Sequence, residues 1–369
     1  MGLRVGVNAL YLIPGGVGGT EIYLRNLLAA LAELDASTEY VVLTNRETTD
    51  LAPPAPNVRT IQQNVRATNR AARILWEQFR LPGLARAERF DVLFNPGFTC
   101  PLRCRCPRVT VFHDLQHKRH PEHFRWFDLP FWNLLLWGSA RNSAKLIAVS
   151  EATRQDLLRF YGTDAEVVPH GVEQAIFEIR PDRRPESFVL CVSTLHPHKG
   201  IESLLGGFAR FRVSNPGFRL VLAGMRGFAA GTIEARIRSL GLTGAVDITG
   251  WIPRQELMDL YRRACCLVYP STFEGFGMPV AEALAAGVPV ESSDIEPLRS
   301  VAGGAALLFP PGDEAAIASA LERLTADDVV RRDLVARGSE HAREFTWRHA
   351  ALRTLSVLES AAAPPRPRG

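Results

Sequence analysis

Two carboxylates, Glu274 and Glu282, flank the run Gly275-Phe276-Gly277-Met278-Pro279, and this is the densest chemistry in the chain. The surrounding segment, Ser271 to Val290, reads as strand end, loop, short helix and strand. Pro279 suits the first helical position, Gly287 the left-handed stop, and Val288 to Val290 a buried strand. A helix N-terminus aimed into a glycine-rich loop attracts anions, because the Phe276, Gly277 and Met278 amides and the positive end of the dipole meet there. Glu282, expected in the first helical turn, can accept hydrogen bonds from paired ribose hydroxyls, and Glu274 from hydroxyls of a group beyond the phosphates. The plainer reading is an ordinary strand-to-helix turn with Glu282 merely favourable to the dipole.

Three further segments close apolar strands. Ser193-Thr194-Leu195-His196-Pro197-His198-Lys199-Gly200 puts Lys199 at a strand's C-terminal end, where its charge can neutralise a leaving diphosphate or simply be solvated. Pro14-Gly15-Gly16-Val17-Gly18-Gly19-Thr20-Glu21 is a glycine-rich loop opening a helix. Glu21 stands where a dinucleotide fingerprint needs glycine, so a nicotinamide enzyme fits poorly. His113-Asp114 ends another strand, and a lone histidine there is as readily structural as functional.

Glu274 and Glu282 with Gly-Phe-Gly-Met-Pro between them resemble the paired-glutamate motif of retaining glycosyltransferases, specifically glycosyltransferase family 4 with the GT-B fold, and bacterial polysaccharide mannosyltransferases among them. The resemblance covers nearly the whole chain. It implies a metal-independent, retaining hexosyl transfer from a nucleoside diphosphate sugar, with GDP-mannose as first donor, to a glycan or lipid-linked glycan in polysaccharide biosynthesis. Catalytic roles are implied for Lys199, Glu274 and His113. Donor contacts are implied for Gly16, Lys199, Trp251, Ile252, Glu274, Gly275, Phe276, Gly277, Met278 and Glu282, and acceptor-side positions for His113 and Asp114. No metal ligand and no cofactor beyond the donor are implied. Ser193 and His198 stand where many members carry arginine, and Glu291 and Ser300 also depart from the family pattern. A sugar-nucleotide epimerase on the same fold, or an inactive nucleotide-sugar or glycan binding protein, remains open as an alternative.

Positioning these groups takes two α/β domains, since 369 residues at 46% hydrophobic and 22% charged exceed one ordinary core. Strands are expected at Val5 to Ala9, Tyr40 to Thr44, Val92 to Asn95, Val109 to Phe112 and Leu146 to Ser150. A second set is expected at Phe188 to Ser193, Arg219 to Ala223, Val246 to Thr249, Cys266 to Tyr269 and Val288 to Ser292. The expected fold is two facing Rossmann-like doubly wound parallel sheets. Their parts are an acceptor-side domain 1–172, a linker 173–187, a donor domain 188–345, a helix 346–360 returning to the first domain, and a disordered tail 361–369.

A net charge of +4 suits a small anionic ligand or a membrane surface, not nucleic acid. Six cysteines in this length point to a reducing cytoplasm, and Cys100, Cys104 and Cys106 ahead of His113, His117, His120 and His123 lack the paired spacing of a zinc site. No apolar run reaches the ~20 residues of a membrane span. Arginines 66, 70, 73, 80, 86 and 89 and the aromatics of 124–137 read as a solvated helix face and a core stretch, or as a surface meeting a lipid-borne acceptor at the cytoplasmic membrane face.

Overall fold

Short apolar strands separated by helices can bury both faces only in parallel sheets, and the chain builds two of them. The computed structural model describes residues 2–14, 19–48, 50–51, 53–182 and 185–363. Contacts divide these into one unit of Met1–Gly171 with Trp347–Gly369 and another of Val172–Thr346.

The first unit holds β1 (Arg4–Asn8), β2 (Glu39–Thr44), β3 (Val58–Gln62), β4 (Val92–Asn95), β5 (Arg108–Phe112), β6 (Lys145–Ala148) and β7 (Glu166–Val167), in spatial order β3-β2-β1-β4-β5-β6-β7. The second holds β8 (Phe188–Val192), β9 (Arg219–Ala223), β10 (Val246–Gly250), β11 (Cys266–Tyr269), β12 (Val290–Ser293) and β13 (Ala306–Phe309), in order β10-β9-β8-β11-β12-β13. All strand pairs are parallel. The strand order reverses between β1 and β4 in one sheet and between β8 and β11 in the other. Such switch points open a crevice at the strands' C-terminal ends. Strands β3, β7 and β13 were not expected from the pattern. Two of them are sheet edges with little buried surface, and β13 is an edge that buries only Phe309 fully.

In the second unit Leu204, Leu205, Phe208 and Phe211 of the helix Ile201–Ser214 pack with Val189, Leu220, Leu222 and Val268 of the sheet and Ile317 and Leu321 of a facing helix. The helix Trp347–Ala362 packs on the helix Gly19–Leu34 and on β4, β5 and β6 of the first unit, and it runs two residues past the expected end at 360. Residues 364–369 of the expected tail lie outside the described residues. The expected linker is laid along the second unit: Asp182 and Glu186 pair with Arg262 and Arg263 at 2.6 and 2.8 Å.

Glu291 is fully buried in β12, and neither carboxylate oxygen has a hydrogen-bond partner among the described residues. Burial pushes its carboxyl well above the ordinary range, so the folded chain holds a proton that the unfolded chain releases. This contribution to stability is present at low pH and is lost as pH rises. Glu291→Met is therefore expected to raise stability by about 1–3 kcal/mol at pH 8 and by less at pH 5. Thermal unfolding at both pH values checks it, and an equal or negative effect at pH 8 contradicts it.

Candidate active site

The loops leaving β8 and β11 are stitched together at the switch point of the second sheet. The His198 carbonyl accepts the Thr272 amide at 2.8 Å and the Ser271 and Thr272 hydroxyls at 3.1 and 3.0 Å. Lys199 ends a single 3-10 turn, Pro197–Lys199, and Gly200 follows at φ +64°, where an added Cβ would lie 2.1 Å from the Pro270 carbonyl oxygen. This lock delivers Lys199 Nζ to Glu274 Oε1 at 2.5 Å, with the Tyr269 hydroxyl donating to the same oxygen at 2.7 Å. The pair is mostly buried, with side chains 16% and 10% exposed. Burial alone would raise the Glu274 carboxyl. The Lys199 charge and hydrogen bonds from Lys199, Tyr269 and Ser271 outweigh it and hold the group below the usual carboxylate range, as a committed anion.

The helix behind this pair spans Met278–Ala285, with Gly277 as its N-cap and Pro279 within the first positions. Gly277 sits at φ +107°, and a Cβ there would lie 2.4 Å from Leu298, so only glycine makes this entry. The Gly277 and Met278 amides make no hydrogen bond among the described residues and stand at the positive end of the helix. Gly275 and Met278 are half-buried, while Phe276 is buried edge-on against Phe345 at 5.6 Å.

Glu282 differs from its expected setting. The helix starts at Met278, so Glu282 falls in the second turn, and its side chain is 5% exposed. Arg254 donates to Oε1 at 2.6 Å and the Tyr261 hydroxyl to Oε2 at 2.9 Å. Each oxygen keeps one lone pair for a further donor. Arg254 also pairs with Glu173 at 3.2 Å, so Glu173, Arg254 and Glu282 form one network within the second unit. Sequence reasoning missed Arg254 and Tyr261. Their only signal was a helix opening right after Gly250-Trp251-Ile252-Pro253, which places Arg254 two residues beyond Ile252. Trp251 is 69% exposed and so is not core, and Ile252 is half-buried.

In the first unit His113 follows β5 directly and is buried. Its Nε2 lies 2.9 Å from the Pro96 carbonyl oxygen, which can only accept, so Nε2 carries the hydrogen. The neutral ring's Nδ1 then accepts from His170 Nε2 at 3.3 Å. Both nitrogens are thus engaged within the protein. Burial lowers His113 to about 4, so it is neutral at physiological pH. Asp114 is partly exposed and accepts the Gln116 amide at 2.9 Å, lining a cavity at the ends of β1, β4 and β5. Gly16 lies outside the described residues.

The basic and aromatic stretch splits in two. Arginines 66, 70, 80, 86 and 89 are exposed, but Arg73 is buried. Phe124 and Trp132 are half-buried, whereas Trp126, Phe127, Phe131 and Trp137 are exposed, so these four do not belong to the core. Cys100 is buried against Ser139 and Ser143, away from any metal-like grouping. Among the described residues, the only group of three or more with metal-ligating atoms all within 4.8 Å of one another is His120, Glu122 and His123, and this group lies at the surface.

Known proteins share this architecture. Residues 17–175 match the model of Glycosyltransferase Family 4, and residues 172–343 match that of Glycosyl transferases group 1. The chain is 26% identical over 282 residues to the O-antigen chain mannosyltransferase B of Escherichia coli, covering 73% of this chain and 74% of that one. It is 31% identical over 231 residues to the MMP alpha-(1->4)-mannosyltransferase of Mycolicibacterium hassiacum, covering 61% and 56%. A sucrose-phosphate synthase from Thermosynechococcus elongatus superposes with a TM-score of 0.79 at 21% identity, over 97% of this chain and 98% of that one. With both halves matched in order and two Rossmann-like sheets of the GT-B kind, the chain joins a Glycosyltransferase Family 4 domain to a Glycosyl transferases group 1 domain and is a glycosyltransferase.

Proposed function

We propose that this glycosyltransferase moves a hexose, with mannose from GDP-mannose as the first candidate, from a nucleoside diphosphate sugar to a hydroxyl of a glycan or lipid-linked glycan. The configuration at the anomeric carbon is retained and no metal takes part. The observation that carries this reading is the Lys199–Glu274 pair set beside the open amides of Gly277 and Met278 at one switch point. A diphosphate placed there meets a fixed cation and a helix terminus, which do the work a divalent metal does elsewhere.

In the reaction the anomeric C–O bond to the diphosphate breaks while an acceptor hydroxyl forms the new bond on the same face. The hydroxyl's proton passes to the departing phosphate oxygen. Lys199 and the two amides receive the charge that develops on that phosphate. Glu274 holds Lys199 in place and presents its second oxygen to sugar hydroxyls, and Glu282 offers its spare lone pairs to the ribose. Asp114 stands for the acceptor side, with His113 fixing the loop that carries it. The mannosyl assignment draws support from the names of the two relatives above. Exposed Trp126, Phe127, Phe131 and Trp137, with the Arg141 guanidinium 5.9 Å from the Trp137 ring, support peripheral contact with the cytoplasmic membrane face. No helix among the described residues is long and apolar enough to cross a membrane.

The test is a thermal-shift panel of UDP, GDP, dTDP and ADP sugars, followed by transfer assays with and without EDTA. The right donor at ~100 times its dissociation constant is expected to stabilise by about 2.7 kcal/mol. Transfer is expected to survive chelation. Loss with EDTA and rescue by magnesium or manganese would overturn the metal-independent account.

A further inference from the structure

The loops after β1, β4 and β5 enclose a cavity of about 410 Å³ in the first unit, away from the donor motif in sequence and contained within that unit. Its lining is unusual in charge. Arg73 reaches it from the helix Arg70–Phe79 with a side chain only 8% exposed. The nearest carboxylate, Glu77, lies 3.8 Å away, beyond hydrogen-bond distance. Glu77 is already served by Asn8 and Thr99 at 3.1 Å each and by Gln78 at 3.4 Å. Arg73 Nη1 therefore has no hydrogen-bond acceptor among the described residues, and the buried Tyr11 hydroxyl beside the same cavity also has no partner there. A buried guanidinium N–H without an acceptor is costly, and its natural complement is an oxyanion. At the mouth Arg70 lies with its guanidinium carbon 3.7 Å from the centre of the Trp132 ring, which holds a second positive group over an apolar wall that includes Phe98 and Phe124.

We propose that this cavity binds a phosphate group carried by the acceptor, with Arg73, Arg70 and the Tyr11 hydroxyl as its donors. The proposal rests on the reading that the first unit takes the acceptor. Three convergent donors suit the three terminal oxygens of a phosphate. Burial pushes the Glu77 carboxyl above its usual range, against the pull of the Arg73 charge and of its hydrogen bonds from Asn8, Thr99 and Gln78. Asp114, also in the lining and directly after His113 at the end of β5, repels a phosphate and accepts hydroxyls, so it favours a sugar phosphate with its hydroxyls toward β5 and its phosphate toward Arg73. Trp132 and Phe124 then face whatever apolar group continues beyond the phosphate.

Titration calorimetry of the full chain with phenyl phosphate, with no donor present, tests the site. Arg73→Met is expected to weaken binding at least tenfold and Tyr11→Phe several-fold. Tyr11→Phe removes only a hydroxyl, so it keeps the test valid if Arg73→Met folds poorly. Equal affinity in wild type and Tyr11→Phe would overturn the proposal. Two arms then separate the source. Competition by glucose 1-phosphate points to a soluble sugar phosphate, and Arg73-dependent capture by neutral vesicles carrying a polyprenyl phosphate points to a lipid-borne one. Failure of both arms counts against the site. Because these readouts need no transfer, failure of the catalytic reading would show separately, in the donor panel.

Discussion

Lys199→Ala is expected to lower kcat at least about 100-fold while changing KM for the donor much less. The lysine charge matters most when the diphosphate leaves, and deleting one preorganised group at a developing charge typically costs that much. Stability should fall as well, by about 2–4 kcal/mol, because Glu274 remains mostly buried with its cation gone. The two effects separate in the double variant Lys199→Met with Glu274→Leu. Replacing both ions by apolar groups of similar size removes the stranded charge, so thermal stability is expected to recover while transfer stays absent. Steady-state kinetics and unfolding midpoints of the three proteins check this. Near-normal turnover in Lys199→Ala, or activity returning in the double variant, would remove Lys199 from the chemistry.

Acid should destabilise the first unit over a defined window. His113 and His170 share a hydrogen bond and pack with Tyr23 and Trp347, with Tyr23 ring centroids 4.9 Å from both histidines. Burial lowers His113 from the ordinary 6.5 to about 4, lowers His170 well below 6.5, and lowers His117, beside Tyr161, to about 4. The unfolded chain therefore takes up protons before the folded chain does, and stability falls as pH drops below about 6.5. For His113 alone the loss is about 3 kcal/mol once the pH is below about 4. Thermal unfolding at pH 7, 6, 5 and 4 is expected to show a falling midpoint. The fall should be shallower for His170→Phe, which keeps the ring packing and removes one titrating group. An identical pH profile in that variant would mean the histidine cluster is not the source.

What the sequence alone determined was local. The alternation of short apolar strands with helices specified two parallel α/β sheets, because a strand buried on both faces must be apolar throughout. Gly277, Pro279 and Gly287 marked the entry and stop of the helix Met278–Ala285, because backbone conformations open only to glycine leave a readable trace. Lys199 was legible as a residue closing a strand, and it lies at the switch point as that position requires. Edge strands such as β3 were not legible, since half-exposed backbone pairing leaves no hydrophobic pattern.

Only the tertiary structure decided which partners the functional groups hold. Glu282 meets Arg254 and Tyr261, His113 meets His170 across 57 residues, and Arg73 is drawn inside while its arginine neighbours stay in solvent. Spacing fixes which face of an element a side chain occupies. Its partners arrive from distant loops brought together by sheet order, and whether a charge ends buried or exposed depends on what those loops place over it.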